Sequence, residues 1–136
     1  MKTAAIICEY NPFHNGHAYH IQKTKEETGA EYIVALMSGN YVQRGTPAIL
    51  EKQIRTQMAL QNGADLVIEL PLYFACGSAP YFASGSVSLL NHLGIIDTLS
   101  FGSECGNISL LKEIASFLLE YENTISSETS QLIKLG

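Results

Sequence analysis

The sequence predicts an α/β fold in which a parallel sheet lies between two helical layers. Three observations predict it. Four short apolar runs, at residues 3–9, 32–37, 66–70 and 98–101, alternate with four segments of helical character. The runs are aliphatic or β-branched and hardly alternate with polar residues, the pattern of strands covered on both faces. Neither a repeat nor a linker interrupts the alternation, which suits right-handed crossovers within one sheet.

Each element has its own signals. The first helix is expected to start near Asn15 or Gly16 and to stop at Gly29, a residue suited to the left-handed position that ends helices. The second takes Thr46 as N-cap and Pro47 as its first residue, and runs through Leu50, Ile54, Met58 and Leu60 to Asn62-Gly63. The third lies between Ser78 and Leu93, with Gly85 as a weak point inside it. The fourth is capped by Asn107, and Ile108, Leu111, Ala115, Leu118 and Leu119 form its apolar stripe. Residues 1–123 are expected to form the folded domain. Residues 124–136 read as a polar tail or as the start of a further part, so the chain reads as an amino-terminal piece.

Composition narrows the function. Charged residues make up only 15% of the chain and the net charge is −5, so the segment is a poor general binder of nucleic-acid backbone. Cys8, Cys76 and Cys105 are odd in number and far apart, which indicates neither a zinc knuckle nor a disulfide framework and fits a reducing cytoplasm. No run approaches transmembrane length, so no membrane partner is expected.

The chemistry concentrates in the turn after the first run, Asn11-Pro12-Phe13-His14-Asn15-Gly16-His17. A turn between a first strand and a first helix is where an open α/β sheet binds phosphates. His14 and His17 are three apart and share a helical face. Gly16 lets backbone approach a ligand, and the first helical turn offers free N–H groups and the positive dipole end. Two imidazoles there can donate to the oxygens of a pentacovalent α-phosphorus and to departing pyrophosphate, with no covalent intermediate. A zinc site of His14, His17 and His20 with Cys8 lacks ligands at a recognised spacing, so no protein-held metal is expected.

His14-Asn15-Gly16-His17 resembles the HxGH signature of the nucleotidylyltransferase superfamily. Several further blocks, taken in order, resemble the bacterial tRNA(Met) cytidine acetate ligases: Glu9-Tyr10-Asn11-Pro12-Phe13, Met37-Ser38-Gly39-Asn40, Gln43-Arg44-Gly45, Asp65 through Pro71, and Phe101-Gly102-Ser103-Glu104. The resemblance implies a Rossmann-like three-layer sheet of the HxGH type. It also implies an enzyme that activates acetate with ATP, releases pyrophosphate, and transfers acetyl to N4 of the wobble cytidine of elongator tRNA(Met). In that family ATP is lined by the positions matching Ile7, Cys8, Glu9, Tyr10, Asn11, Pro12, Phe13, His14, Asn15, Gly16, His17, Ala18, Tyr19, His20 and Gly102. Mg²⁺ is expected with ATP, and most of the tRNA surface is expected outside this chain.

Other residues are candidates on weaker grounds. Gln43, Arg44, Ser103 and Glu104 follow strand ends and are candidate substrate contacts; Lys52 and Arg55 read as a solvated helix face. Asp65 reads as a turn or cap residue, and Tyr73, Phe74, Tyr81 and Phe82 as core. Residues 125–129 resemble the superfamily's second, Ser/Thr-rich motif. No basic residue follows until Lys134 and Glu128 would repel phosphate, so the segment is read as a solvated linker. Two alternatives stay open. A cofactor-type nucleotidylyltransferase would share the turn but need a basic pocket for its phosphate ester, and the lack of a basic second motif suits a truncated nucleotide-binding or partner-docking module without activity.

Overall fold

The computed structural model describes residues 1–135. Its backbone contacts divide the chain into two compact units, Met1–Phe101 and Gly102–Gly136. The first unit carries β1 (Thr3–Cys8), α1 (Asn15–Thr28), β2 (Tyr32–Ser38), a 3-10 turn (Gln43–Gly45), α2 (Lys52–Gln61), β3 (Leu66–Leu70), α3 (Leu72–Ala75), α4 (Ala79–Leu93) and β4 (Thr98–Ser100). The four strands are parallel, in the order β3-β2-β1-β4. The α/β class and the parallel sheet therefore stand as expected.

Both faces of the sheet are covered because successive strand residues point to opposite sides and almost all are apolar. Ala4, Ile6, Ile33, Ala35 and Met37 pack under α1 and α2, against Ile21 and Ala59. Ala5 and Leu36, with Leu70, pack under α3 and α4, against Ala75 and Leu90. Ile6, Ile33 and Leu36 are fully buried, each contributing roughly 1.5–3 kcal/mol. At the amino edge, Asp97 Oδ2 accepts from Thr3 N and Asp65 Oδ2 from Ile33 N, both at 2.8 Å. Each carboxylate thus pins the start of the strand beside its own, and Asp65 is the cap residue that its position suggested.

Three elements differ from expectation. α2 begins at Lys52. Thr46 and Pro47 instead close a small hairpin: Pro47 bridges Tyr41, and Val42 N donates to Thr46 O at 2.9 Å. The inner side of α2 is also rotated from the apolar stripe: Arg55 and Ala59 are its buried residues, while Ile54 and Leu60 are exposed. Tyr73 and Tyr81 are likewise exposed and pair edge to face at 6.2 Å, whereas Phe74 and Phe82 join the core. The short α3 had no sequence signal of its own.

Gly85, the weak point of α4, has a packing reason. A Cβ built there would overlap the Phe74 ring and lie 2.9 Å from Phe74 Cβ, so glycine lets α4 close over α3.

The second unit holds α5 (Ile108–Glu120) and α6 (Glu122–Leu135). Asn107 caps α5 as expected, its Oδ1 accepting from Leu110 N at 3.1 Å. The linker reading of residues 125–129 is corrected: they are helical, within α6. Ile125 and Leu132 are seven apart and Lys134 lies in the last turn, so helical spacing and a favourable dipole charge outweigh the Ser/Thr content. The expected division between residues 123 and 124 falls inside this helix.

Candidate active site

β1 ends beside β2 on one side and β4 on the other, so the chain order reverses across it. In open α/β sheets ligands bind in the crevice outside the carboxyl ends of the strands at such a point. A cavity of about 330 Å³ opens there. It is lined by Ile7, Cys8, Glu9, Tyr10, Asn11, Pro12, His14, His17 and His20, together with Ile6.

The turn that forms the cavity is held in an uncommon shape. Tyr10 adopts φ 46° and the Asn11–Pro12 peptide is cis. A bulky residue at positive φ costs about 1–2 kcal/mol and persists where its surroundings fix it. Here the Tyr10 side chain is buried in the core, with its ring centroid 4.8 Å from both Phe13 and His17. Burial pushes the Tyr10 phenol up and the Cys8 thiol up to about 12, so both stay neutral in the cavity wall.

The two histidines cap their own helix. His14 is the N-cap of α1; its Nδ1 accepts from Gly16 N at 3.1 Å, while His17 Nδ1 accepts from His14 N at 3.2 Å. This is a capping box built from imidazoles. An accepting Nδ1 places the proton of the neutral ring on Nε2. The rings stack with centroids 3.7 Å apart, and neither Nε2 has a partner among the described residues. Two N–H donors are thereby presented side by side.

This changes the expected role of the backbone. Gly16, His17 and Ala18 N–H groups already donate to the Nδ1 or carbonyl of His14, so the imidazole edges, rather than those amides, are free to meet an anion. Gly16 makes room for His14 itself: a Cβ there would sit 3.0 Å from His14 Cε1.

Burial lowers the pKa of His17, helped by the neighbouring His14 and His20, and burial likewise lowers that of His20. The unfolded state therefore takes up protons first as pH falls through about 6.5. Stability is fully present above that value and is lost until the lower folded pKa values are passed; protonation at Nδ1 also breaks the cap. Thermal melts between pH 7.5 and 5.5 should fall more steeply for the native sequence than for a His17→Asn, His20→Asn variant. Parallel curves for the two proteins would contradict this.

The remaining candidates fall as follows. His20 Nε2 lies 3.1 Å from Ser100 Oγ, which is 2.6 Å from Thr24 Oγ1, so α1 is tied to β4 beside the cavity. Phe13 packs on the core, Ala18 is half-buried, and Asn15 and Tyr19 are exposed. Gln43 N donates to Glu9 Oε1 at 2.9 Å, joining the β2 loop to the turn. Arg44 is exposed at φ 66°. Gly102, Ser103 and Glu104 begin the second unit, where Ser103 Oγ accepts from Gly106 N at 3.0 Å. Lys52 Nζ pairs with Glu69 Oε2 at 2.6 Å, beside a separate cavity of about 390 Å³ between α2 and β3.

The solvated reading of Arg55 is corrected. Its side chain is fully buried and bonds the carbonyls of Leu50, Glu9, Ser38 and Gly39. The apolar residues at 54 and 58 pointed to the wrong face. The signal that would have found it is Ala59, small enough to pack on a sheet and one helical turn further along.

A parallel sheet with paired imidazole donors at a helix start, on its switch point, defines a nucleotide-binding domain of the nucleotidyl transferase class. The pattern of the HIGH Nucleotidyl Transferase family matches residues 1–136, and the chain belongs to that family. It is 57% identical over its whole length to the tRNA(Met) cytidine acetate ligase of Caldicellulosiruptor saccharolyticus, covering 34% of that protein. It is 54% identical over 127 residues to that of Acetivibrio thermocellus, covering 31% of it. The resemblance read from the motifs is thereby borne out. The chain spans about a third of the length of these relatives. The crystal structure of Thermotoga maritima TmcAL bound with alpha-thio ATP superposes with TM-score 0.89 at 41% identity, over 96% of this chain and 33% of that one.

Proposed function

We propose that this chain is the nucleotide-binding part of an ATP-dependent tRNA acetate ligase working in the cytoplasm. The observation that carries the reading is the pair of Nε2–H donors, fixed by their own capping box in the cavity at the end of β1. The ligase names of its relatives and the alpha-thio ATP bound to the Thermotoga protein support it.

In this reading ATP occupies the turn from Ile7 to His20. An acetate oxygen attacks the α-phosphorus; the new C–O–P linkage forms as the bond to the β-phosphate oxygen breaks, and pyrophosphate leaves. His14 and His17 donate to the oxygens that gain charge, and act as electrostatic stabilisers rather than nucleophiles. The N4 amine of the wobble cytidine of elongator tRNA(Met) then attacks the acetyl carbonyl, AMP departs, and N4 loses a proton. Gln43 and Arg44 are assigned to substrate from the loop that Gln43 N anchors on Glu9. Gly102 keeps its ATP assignment on the resemblance, and Ser103 and Glu104 keep theirs to substrate on their place after the end of β4.

Among the described residues no cluster of His, Cys, Asp or Glu fits a metal ion. The Mg²⁺ expected with ATP is therefore assigned to the triphosphate, which supplies the oxygen ligands this ion prefers. Acetate-dependent exchange of labelled pyrophosphate into ATP tests the function. Exchange that needs another acid, or a phosphate ester in place of acetate, would sink the acetate assignment.

The nucleotide-binding module without activity is favoured by one observation: residues 125–129 form a helix, with no basic residue before Lys134. Calorimetric ATP binding to the chain without exchange would select it.

A further inference from the structure

We propose that Arg55 is a positioning residue for nucleotide binding, fixing the carbonyl of Glu9 and, through Tyr10, the ring of His17. The proposal rests on the ATP reading above.

Arg55 is fully buried, yet among the described residues no carboxylate accepts from it. Its partners are all carbonyls: Leu50 at 2.9 Å from Nε, Glu9 at 2.6 Å and Ser38 at 3.1 Å from Nη1, and Gly39 from Nη2. Glu9, Ser38 and Gly39 lie at the carboxyl ends of β1 and β2, where the last ladder pair is Cys8 with Met37. Strand ends leave carbonyls without ladder partners, and such groups need donors when buried. A neutral amide could serve one of them at far lower desolvation cost than a guanidinium. Only a planar fork reaches several from one position, and lysine, with a single nitrogen, cannot replace it.

The consequence runs along contacts already described. Arg55 fixes the Glu9 carbonyl, and Gln43 N holds the Glu9 carboxylate. The next residue, Tyr10, is thereby kept at positive φ with its ring against His17. His17 in turn stacks on His14. The charge also lies beneath a turn that has to receive a polyanion, and low-dielectric surroundings screen it little.

The test uses Arg55→Lys in this chain, with Leu90→Ala in the opposite helical layer as a stability-matched control. ATP affinity is measured by calorimetry, and the ring-nitrogen NMR signals of His14 and His17 report the Nε2–H form. Arg55→Lys should weaken ATP by on the order of tenfold, the value of one lost charge-assisted hydrogen bond, and move both histidine signals. Leu90→Ala should leave affinity within about twofold, since distant sites act independently. Unmoved signals with unchanged affinity, or an equal loss in Leu90→Ala, overturn the proposal. If Arg55→Lys does not fold, the Nε–H signal of native Arg55 decides: a shift on ATP saturation supports the proposal, and none overturns it. If the native chain binds no ATP, the ligase reading fails, while the histidine signals of Arg55→Lys still judge the positioning.

Discussion

His17→Ala is expected to lower acetate-dependent pyrophosphate exchange by about 10²- to 10³-fold, the usual cost of removing one preorganised donor to a charged transition state. Part of any loss could come from the helix, because His17 also completes the capping box. His17→Asn separates the two roles. Its amide oxygen occupies the place of Nδ1 and can accept from His14 N, but nothing replaces Nε2–H. The alanine variant should therefore lose roughly 1 kcal/mol of stability as a broken cap, and the asparagine variant much less. Both should lose exchange to the same degree. Exchange by His17→Asn within about threefold of the native rate would remove the imidazole from the chemistry and leave it a capping residue.

Gly85→Ala is expected to destabilise the domain, against what helix propensity indicates. Alanine inside a helix gains roughly 0.5–1 kcal/mol over glycine. At this position the new Cβ would overlap the Phe74 ring and crowd its Cβ at 2.9 Å. The ring cannot swing away freely, since Phe74 packs on the cluster of Leu36, Leu70, Ala75 and Leu90. Overpacking of this kind costs typically about 1–3 kcal/mol, so the clash outweighs the propensity gain. Melting should fall by several degrees, and Phe74→Leu in the Gly85→Ala background should recover part of it. A rise in melting temperature on Gly85→Ala alone would show that α3 and α4 separate easily.

Both predictions turn on contacts that no run of sequence displays, and the two histidines show where legibility stops. The strand before them, the glycine between them and the helix after them are local, so the turn could be recognised as a phosphate site and matched to a family. Local sequence could not show that each Nδ1 is spent on a backbone N–H, because that depends on the φ and ψ of His14. Donation by imidazole edges, with the first-turn amides already engaged, follows only from that geometry.

α2 shows the same limit in the opposite direction. Its helical character is plain, but the Tyr41–Pro47 bridge keeps Thr46 out of the helix, and the buried face is not the apolar one. Apolar spacing reports the inner face only when that face is apolar. Here the inner face holds a guanidinium, because three strand-end carbonyls converge beneath it. Those carbonyls come from two strands that meet only in the folded sheet.

By itself the sequence determined the α/β class, the four strands, the histidine turn and the family, since all of these are written in short-range periodicity and contiguous motifs. Tertiary structure alone decided the strand order, the ring-nitrogen tautomers, the burial of Arg55 and the glycine contact between α3 and α4. Each of these depends on groups far apart in the chain being brought within hydrogen-bonding or van der Waals distance.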